Sequence, residues 1–135
     1  MNSPLLGVDI GFKRTGLALS EAGLLSRPLG VVETDLPHMA KAIQGIVTAA
    51  KEHEAATIVV GLPLSKNGLP TPQSERVLGV VGRLRIALAA ASLDPEIETI
   101  DEYRSTVEAA ALFPGAEPDA AAAALILQDY LETHE

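Results

Sequence analysis

Leu5 to Ser20 reads LLGVDIGFKRTGLALS, and the rest of the chain is best understood outward from it. Leu5, Leu6, Val8 and Ile10 are apolar and strand-loving, and Gly16 to Ser20 is a second short apolar run. Gly11-Phe12-Lys13-Arg14-Thr15 between them has the length and glycine content of a hairpin loop. Asp9 is out of place in this pattern. Asp is depleted in strands, and a carboxylate in an apolar strand is paired, holds a cation, or sits partly exposed at a strand end. Gly11, two residues on, leaves room for another group to approach the backbone. With Lys13 and Arg14 beside it, this is a plausible place for a metal and a phosphate.

The chain has 135 residues, enough for one domain, 1–135, with a real core. Hydrophobic residues make up 47%, which argues for a globular protein. The absence of cysteine excludes disulfides and thiolate metal sites. Residues 1–20 lack the pattern of a signal peptide, and the longest apolar run, Ala120 to Leu127, is too short for a bilayer, so a cytoplasmic protein is expected. The net charge of −8 runs against nucleic-acid binding, which normally relies on clustered Lys and Arg. However, metal-binding carboxylates count toward that charge, and Lys13, Arg14, Lys66, Arg76, Arg83, Arg85 and Arg104 gather in or near a few loops and one helix.

Pro28 to Glu33 reads as a third strand, and the short link before it favours an antiparallel meander. Thr34 or Asp35 is expected to cap a helix with Pro37 in its first turn and Leu36, Ala40, Ile43, Val47 and Ala50 as its apolar stripe, ending near His53. His38, His53 and His134 show no partner pattern and read as surface residues. Thr57 to Val60 looks like a central strand, followed by a long loop from Gly61 to Pro70. A helix follows from about Gln73 to Ala91, its stripe Val77, Val81, Leu84 and Leu88; Gly79 and Gly82 inside it suggest close packing there. Glu96 to Ile100 is a further strand ending at Asp101-Glu102. Ser105 to Glu108 matches a capping box for a short helix to about Phe113, and Pro118 opens a last, alanine-rich helix.

Helical crossovers between sheet strands imply parallel neighbours, so the expected architecture is α/β: a mixed five-stranded sheet, three antiparallel strands and then two parallel, with helices on both faces. Sites in such sheets lie at the carboxyl ends of parallel strands. Asp9, Glu102 and Asp119 come from separate elements and could converge there. Carboxylates without His or Cys suit Mg²⁺ or Mn²⁺, and two such ions can activate water for phosphodiester cleavage. Taken singly, Asp119 could serve only the helix dipole and Asp101 and Glu102 could be solvated strand-end residues; which of those two faces inward stays open.

Four stretches in this order, GVDIGFKRTGLALS, IVVGLPLSKNG, IDEYRSTVEAA and DAAAALILQDYL, resemble the RuvX/YqgF family, small bacterial proteins of RNase H-like fold. The resemblance covers nearly the whole chain. It implies a nuclease that trims the 5′ end of the small-subunit ribosomal RNA precursor, or alternatively a Holliday junction resolvase. The family's catalytic, metal-holding acids fall on Asp9, Glu102 and Asp119, and its nucleic-acid face on Lys13, Arg14 and the Gly61–Gly68 loop with Lys66. Arg76, Arg83 and Arg104 are further candidates for nucleic-acid contact. The chain departs from the family in having Tyr103 and then Arg104 where Arg usually follows the Asp-Glu pair.

Two other readings compete. Asp9-Ile10-Gly11 with Thr15-Gly16 also resembles the phosphate loop of actin-like ATPases, although those need two such domains. A non-catalytic nucleic-acid-binding module would use the acids only to hold the fold. A junction resolvase would need two sites and hence a homodimer; otherwise a monomer suffices. Leu24, Leu25 and Leu29 could lie at such an interface or in the core.

Overall fold

The computed structural model describes residues 3–65, 67–102 and 106–134. Strands β1 (Leu5–Ile10), β2 (Arg14–Ser20) and β3 (Arg27–Glu33) form the expected meander. Helix α1 (Ala40–Glu52) leads to β4 (Thr57–Pro63), and α2 (Pro72–Ala90) leads to β5 (Glu96–Glu102). Helices α3 (Thr106–Leu112) and α4 (Pro118–Thr133) follow. The sheet order is β3-β2-β1-β4-β5, with β1, β4 and β5 parallel.

Strand alternation divides the core in two. Leu6, Val8, Ile10, Ile58 and Val60 point to one face and meet Ile43, Ile46 and Val47 of α1 and Val77, Val80 and Leu84 of α2. Ala18 and Val59 point to the other and meet Ala123, Ile126 and Leu127 of α4. Short residues in the sheet let α4 settle deeply. A Cβ on Gly7 would lie 2.8 Å from Leu127 Cβ, and one on Gly61 would lie 2.5 Å from Ile126 Cδ1. The alanine run of α4 provides the matching slim surface.

Four local expectations are corrected. First, α1 begins at Ala40, not near Pro37, and its N-cap is Met39 at φ 58°. Thr34 is unavailable as a cap because it is buried and its hydroxyl donates to the Gly11 carbonyl at 2.7 Å. Its one proton is used there, so it accepts from the Thr15 hydroxyl at 3.0 Å. Leu36 and Ala40 are exposed and the stripe starts at Ala42. Second, β4 runs on to Pro63, which shortens the following loop. Third, α2 starts at Pro72, one residue before the expected Gln73, capped by Thr71, whose hydroxyl accepts from the Ser74 amide while Ser74 Oγ accepts from the Thr71 amide. Fourth, Gly79 and Gly82 are exposed, and nothing lies within 4 Å of a Cβ built at Gly82. They do not mark close packing. Leu24 and Leu25 are exposed, whereas Leu29 packs against the α1–α2 core.

Candidate active site

The hairpin β1–β2 carries the first acid. Its loop is closed by the Gly11 amide donating to the Arg14 carbonyl at 3.1 Å. The Thr34 amide donates to the Lys13 carbonyl at 2.9 Å, and Gln73 Nε2 from α2 donates to the Ile10 carbonyl at 3.2 Å. With the Thr34 hydroxyl on Gly11, the turn is pinned from two neighbouring elements.

Asp9 is the cross-strand partner of Gly16. Partners of this kind project from the same face of an antiparallel pair. On that face the backbone carbonyl of Asp119, in the first turn of α4, lies so close to Gly16 that no Cβ fits between them. Any other residue at 16 would push the start of α4 away. Asp9 therefore projects to the side on which Asp119 begins the last helix. The third acid comes from β5. Ile100 packs with the α4 core and Ile97 with the α1–α2 core, so alternation puts Glu102 on the α4 side and Asp101 on the other. The question of which acid of the pair faces Asp9 has its answer in this register.

The electrostatics agree with the geometry. Burial first, and then the charges of Glu102 and Asp119, push the Asp9 carboxyl from 3.8 up to about 7. Three carboxylates thus share one field at the carboxyl ends of β1 and β5, and their donors are all oxygens, the set preferred by hard divalent cations. Among the described residues no three His, Cys, Asp or Glu side chains are placed so that, as they stand, they could hold a metal ion. Asp119 instead accepts from Arg14 Nε through Oδ2 at 3.1 Å. This pair joins residues 105 apart in sequence, and residue spacing gives no hint of it. The seating of Asp119 on Gly16 is equally hidden; a glycine inside a strand is the signal that points to it.

The basic candidates separate. Lys13 and Arg14 are exposed on the hairpin beside the acids. Arg76 lies with its guanidinium carbon 4.5 Å from the ring centroid of Phe12. Arg83, two turns further along α2, donates to the His38 carbonyl at 2.7 Å and so ties α2 to the segment before α1. Lys66, Tyr103, Arg104 and the expected cap Ser105 lie outside the described residues.

A family model described as "RuvX: Holliday junction resolvase" matches residues 3–133. The chain belongs to the RuvX family. It is 38% identical over 131 residues to a protein of Dehalococcoides mccartyi named "Putative pre-16S rRNA nuclease", covering 91% of this chain and 93% of the relative. A Chloroflexus aurantiacus protein of the same name is 34% identical over 138 residues, covering 95% and 86%. Among solved structures, Thermus thermophilus RuvC in complex with a Holliday junction substrate superposes with a TM-score of 0.61 at 16% identity, covering 98% of this chain and 96% of that one. At that identity the likeness speaks for the fold, and it bears out the RNase H-like architecture expected from the sequence. The chain is a member of a nuclease family of the RuvX type, and no helix among its described residues is long and apolar enough to cross a membrane.

Proposed function

We propose that this RuvX chain is a divalent-metal-dependent endonuclease acting on structured RNA, with 5′-end processing of pre-16S rRNA as its task in the cytoplasm. The observation that supports this most is the gathering of Asp9, Glu102 and Asp119 from three elements at one end of the sheet, where burial and then the two neighbouring charges raise Asp9 to about 7. A buried carboxyl that two neighbouring acids push up further is poised to exchange its proton for a cation. The three acids would hold Mg²⁺ or Mn²⁺. When bound, the metal supplies Lewis-acid activation of the attacking water and stabilises charge on the leaving oxygen.

The protein's own part is positioning. Asp9 must shed its proton before it can serve as a ligand. Asp119, set by the packing of its backbone on Gly16, offers its carboxylate beside Arg14. Lys13 and Arg14 would neutralise phosphates of the strand next to the acids, contacts that fix register without reading bases. The names borne by the relatives point to ribosomal RNA. Resolution of a four-way DNA junction is the second reading, favoured by the family description and the RuvC-like fold; it would require a homodimer, since two strands must be cut symmetrically.

Wild type and Asp9→Asn should be incubated with Mn²⁺ or Mg²⁺ and two labelled substrates, a 16S rRNA precursor with its 5′ leader and a DNA four-way junction. Cleavage of the RNA by wild type alone is the expected result. Paired nicks in the junction alone would make resolvase the better reading. Failure of folded, metal-supplied wild type to cut either would remove the nuclease proposal.

A further inference from the structure

The tip of the β1–β2 hairpin holds a feature that phosphate neutralisation and metal ligation do not use. Phe12 is 57% exposed although it stands between Gly11 and Lys13 on a turn that is otherwise polar. An exposed aromatic at a mobile tip would be unremarkable, but this turn is held on both sides of Phe12. The carbonyls of Ile10, Gly11 and Lys13 accept from Gln73, Thr34 and Thr34 respectively. The ring itself is backed by the Arg76 guanidinium at 4.5 Å. Arg76 has no ion pair among the described residues, and its Nη1 is buried without a hydrogen-bond partner. It therefore places a positive charge, not ion-paired among the described residues, behind an aromatic ring on a well-held turn. That charge draws electron density from the ring and favours stacking of an electron-rich base on the open side.

We infer that Phe12 is a stacking platform for an unpaired nucleobase of the strand whose phosphates pass Lys13 and Arg14. The inference rests on the nuclease reading above and adds a substrate feature to it: at least one unstacked nucleotide close to the cut. Paired bases keep their faces against their neighbours, whereas single-stranded or splayed bases present theirs to aromatic side chains. The ligand is thus an unpaired base with a neighbouring phosphate, and both RNA and DNA could supply it.

The chain contains no tryptophan, so Phe12→Trp creates a single fluorescent reporter at the platform. It should be made together with Asp9→Asn, to prevent cleavage, and checked by circular dichroism. Four probes are titrated: an RNA duplex with an unpaired 5′ extension, the matching DNA, and a blunt duplex of each. Tryptophan emission should be quenched by the extended probes and unaffected by the blunt ones; stronger quenching by the extended RNA would identify RNA as the source of the base. In parallel, in the Asp9→Asn background, Phe12→Ala and Phe12→Leu should bind the extended probes about tenfold more weakly, with blunt-duplex binding changed less than about twofold, and Phe12→Tyr should restore affinity. Leucine and alanine both remove the π face that Arg76 backs, but a ring that only steadies the hairpin would weaken binding of extended and blunt probes alike, so the loss confined to extended probes marks the platform. Unchanged emission during binding followed by anisotropy, or equal quenching by blunt and extended probes, would overturn the platform and leave the nuclease reading intact. If no probe binds to either wild type or Asp9→Asn, the nuclease reading fails and the platform with it.

Discussion

Asp9 shows how one buried acid ties stability to the site. Its carboxyl titrates near 7 in the folded protein and near 3.8 when exposed. Between those values the native state holds a proton that the unfolded chain has lost, so stability falls as pH rises through this window, and the full cost is present above 7. Asp9→Asn escapes it. In metal-free protein the variant should match wild type below pH 4, gain through the window, and level off above pH 7 at on the order of 2–4 kcal/mol more stable, read from urea melts across pH. A stability difference between variant and wild type that stays constant from pH 4 to 8 would show that burial and the neighbouring acids do not raise Asp9. Gly16 is the complementary case. Gly16→Ala should cost about 1–3 kcal/mol and also displace the first turn of α4. Gly45→Ala is the control, because its Cβ would lie 2.8 Å from Val32 Cγ1, on the α1–α2 face of the sheet and not the face that carries the acids. Both should lower Tm, and only Gly16→Ala should reduce cleavage beyond what its loss of folded protein explains.

Among the elements, α2 gives two opposite predictions. Thr71→Ala removes the cap that accepts from Ser74 and the hydroxyl that donates to the Pro63 carbonyl at 3.0 Å, and should cost about 1 kcal/mol. Gly82→Ala fills open space on an exposed helical face and should raise stability by up to about 1 kcal/mol. Thermal melts of the two variants decide both. These sites also show what could be seen beforehand. The order of strands and helices was legible because each apolar stripe, such as Val77, Val81, Leu84 and Leu88, marks a face that must be buried. Element ends were less so. Thr34 has the look of a cap, yet its hydroxyl goes to Gly11, a contact formed only when the strands pair. The glycines of α2 suggested a neighbour that no local pattern could confirm. At the site, Asp9 stood out as an acid in an apolar strand, while Glu102 and Asp119 were singled out through fold topology and the family resemblance. The Arg14–Asp119 pair and the Phe12–Arg76 stack were invisible because each joins distant segments.

At the scale of the whole molecule, metal, pH and salt should act together on a protein of net charge −8. A cation held by the acids stabilises the fold in proportion to its occupancy. Mn²⁺ should therefore raise the Tm of wild type and leave that of Asp9→Asn nearly unchanged. Because Asp9 must lose its proton first, the rise should be larger at pH 8 than at pH 6. An equal rise at both would argue that metal binds elsewhere. Nucleic-acid affinity should fall with salt, and Lys13→Ala should reduce the log–log slope by about 1, the release of roughly one counterion.

The close seating of α4 on Gly16 also has a consequence in time. The three acids are contributed by the first strand, the fifth strand and the last helix, and the third is brought in by the docking of that helix. A chain being translated through β5 has made Asp9 and Glu102 and still lacks Asp119. Until α4 has emerged and settled on the sheet, a newborn molecule cannot assemble the proposed cutting site.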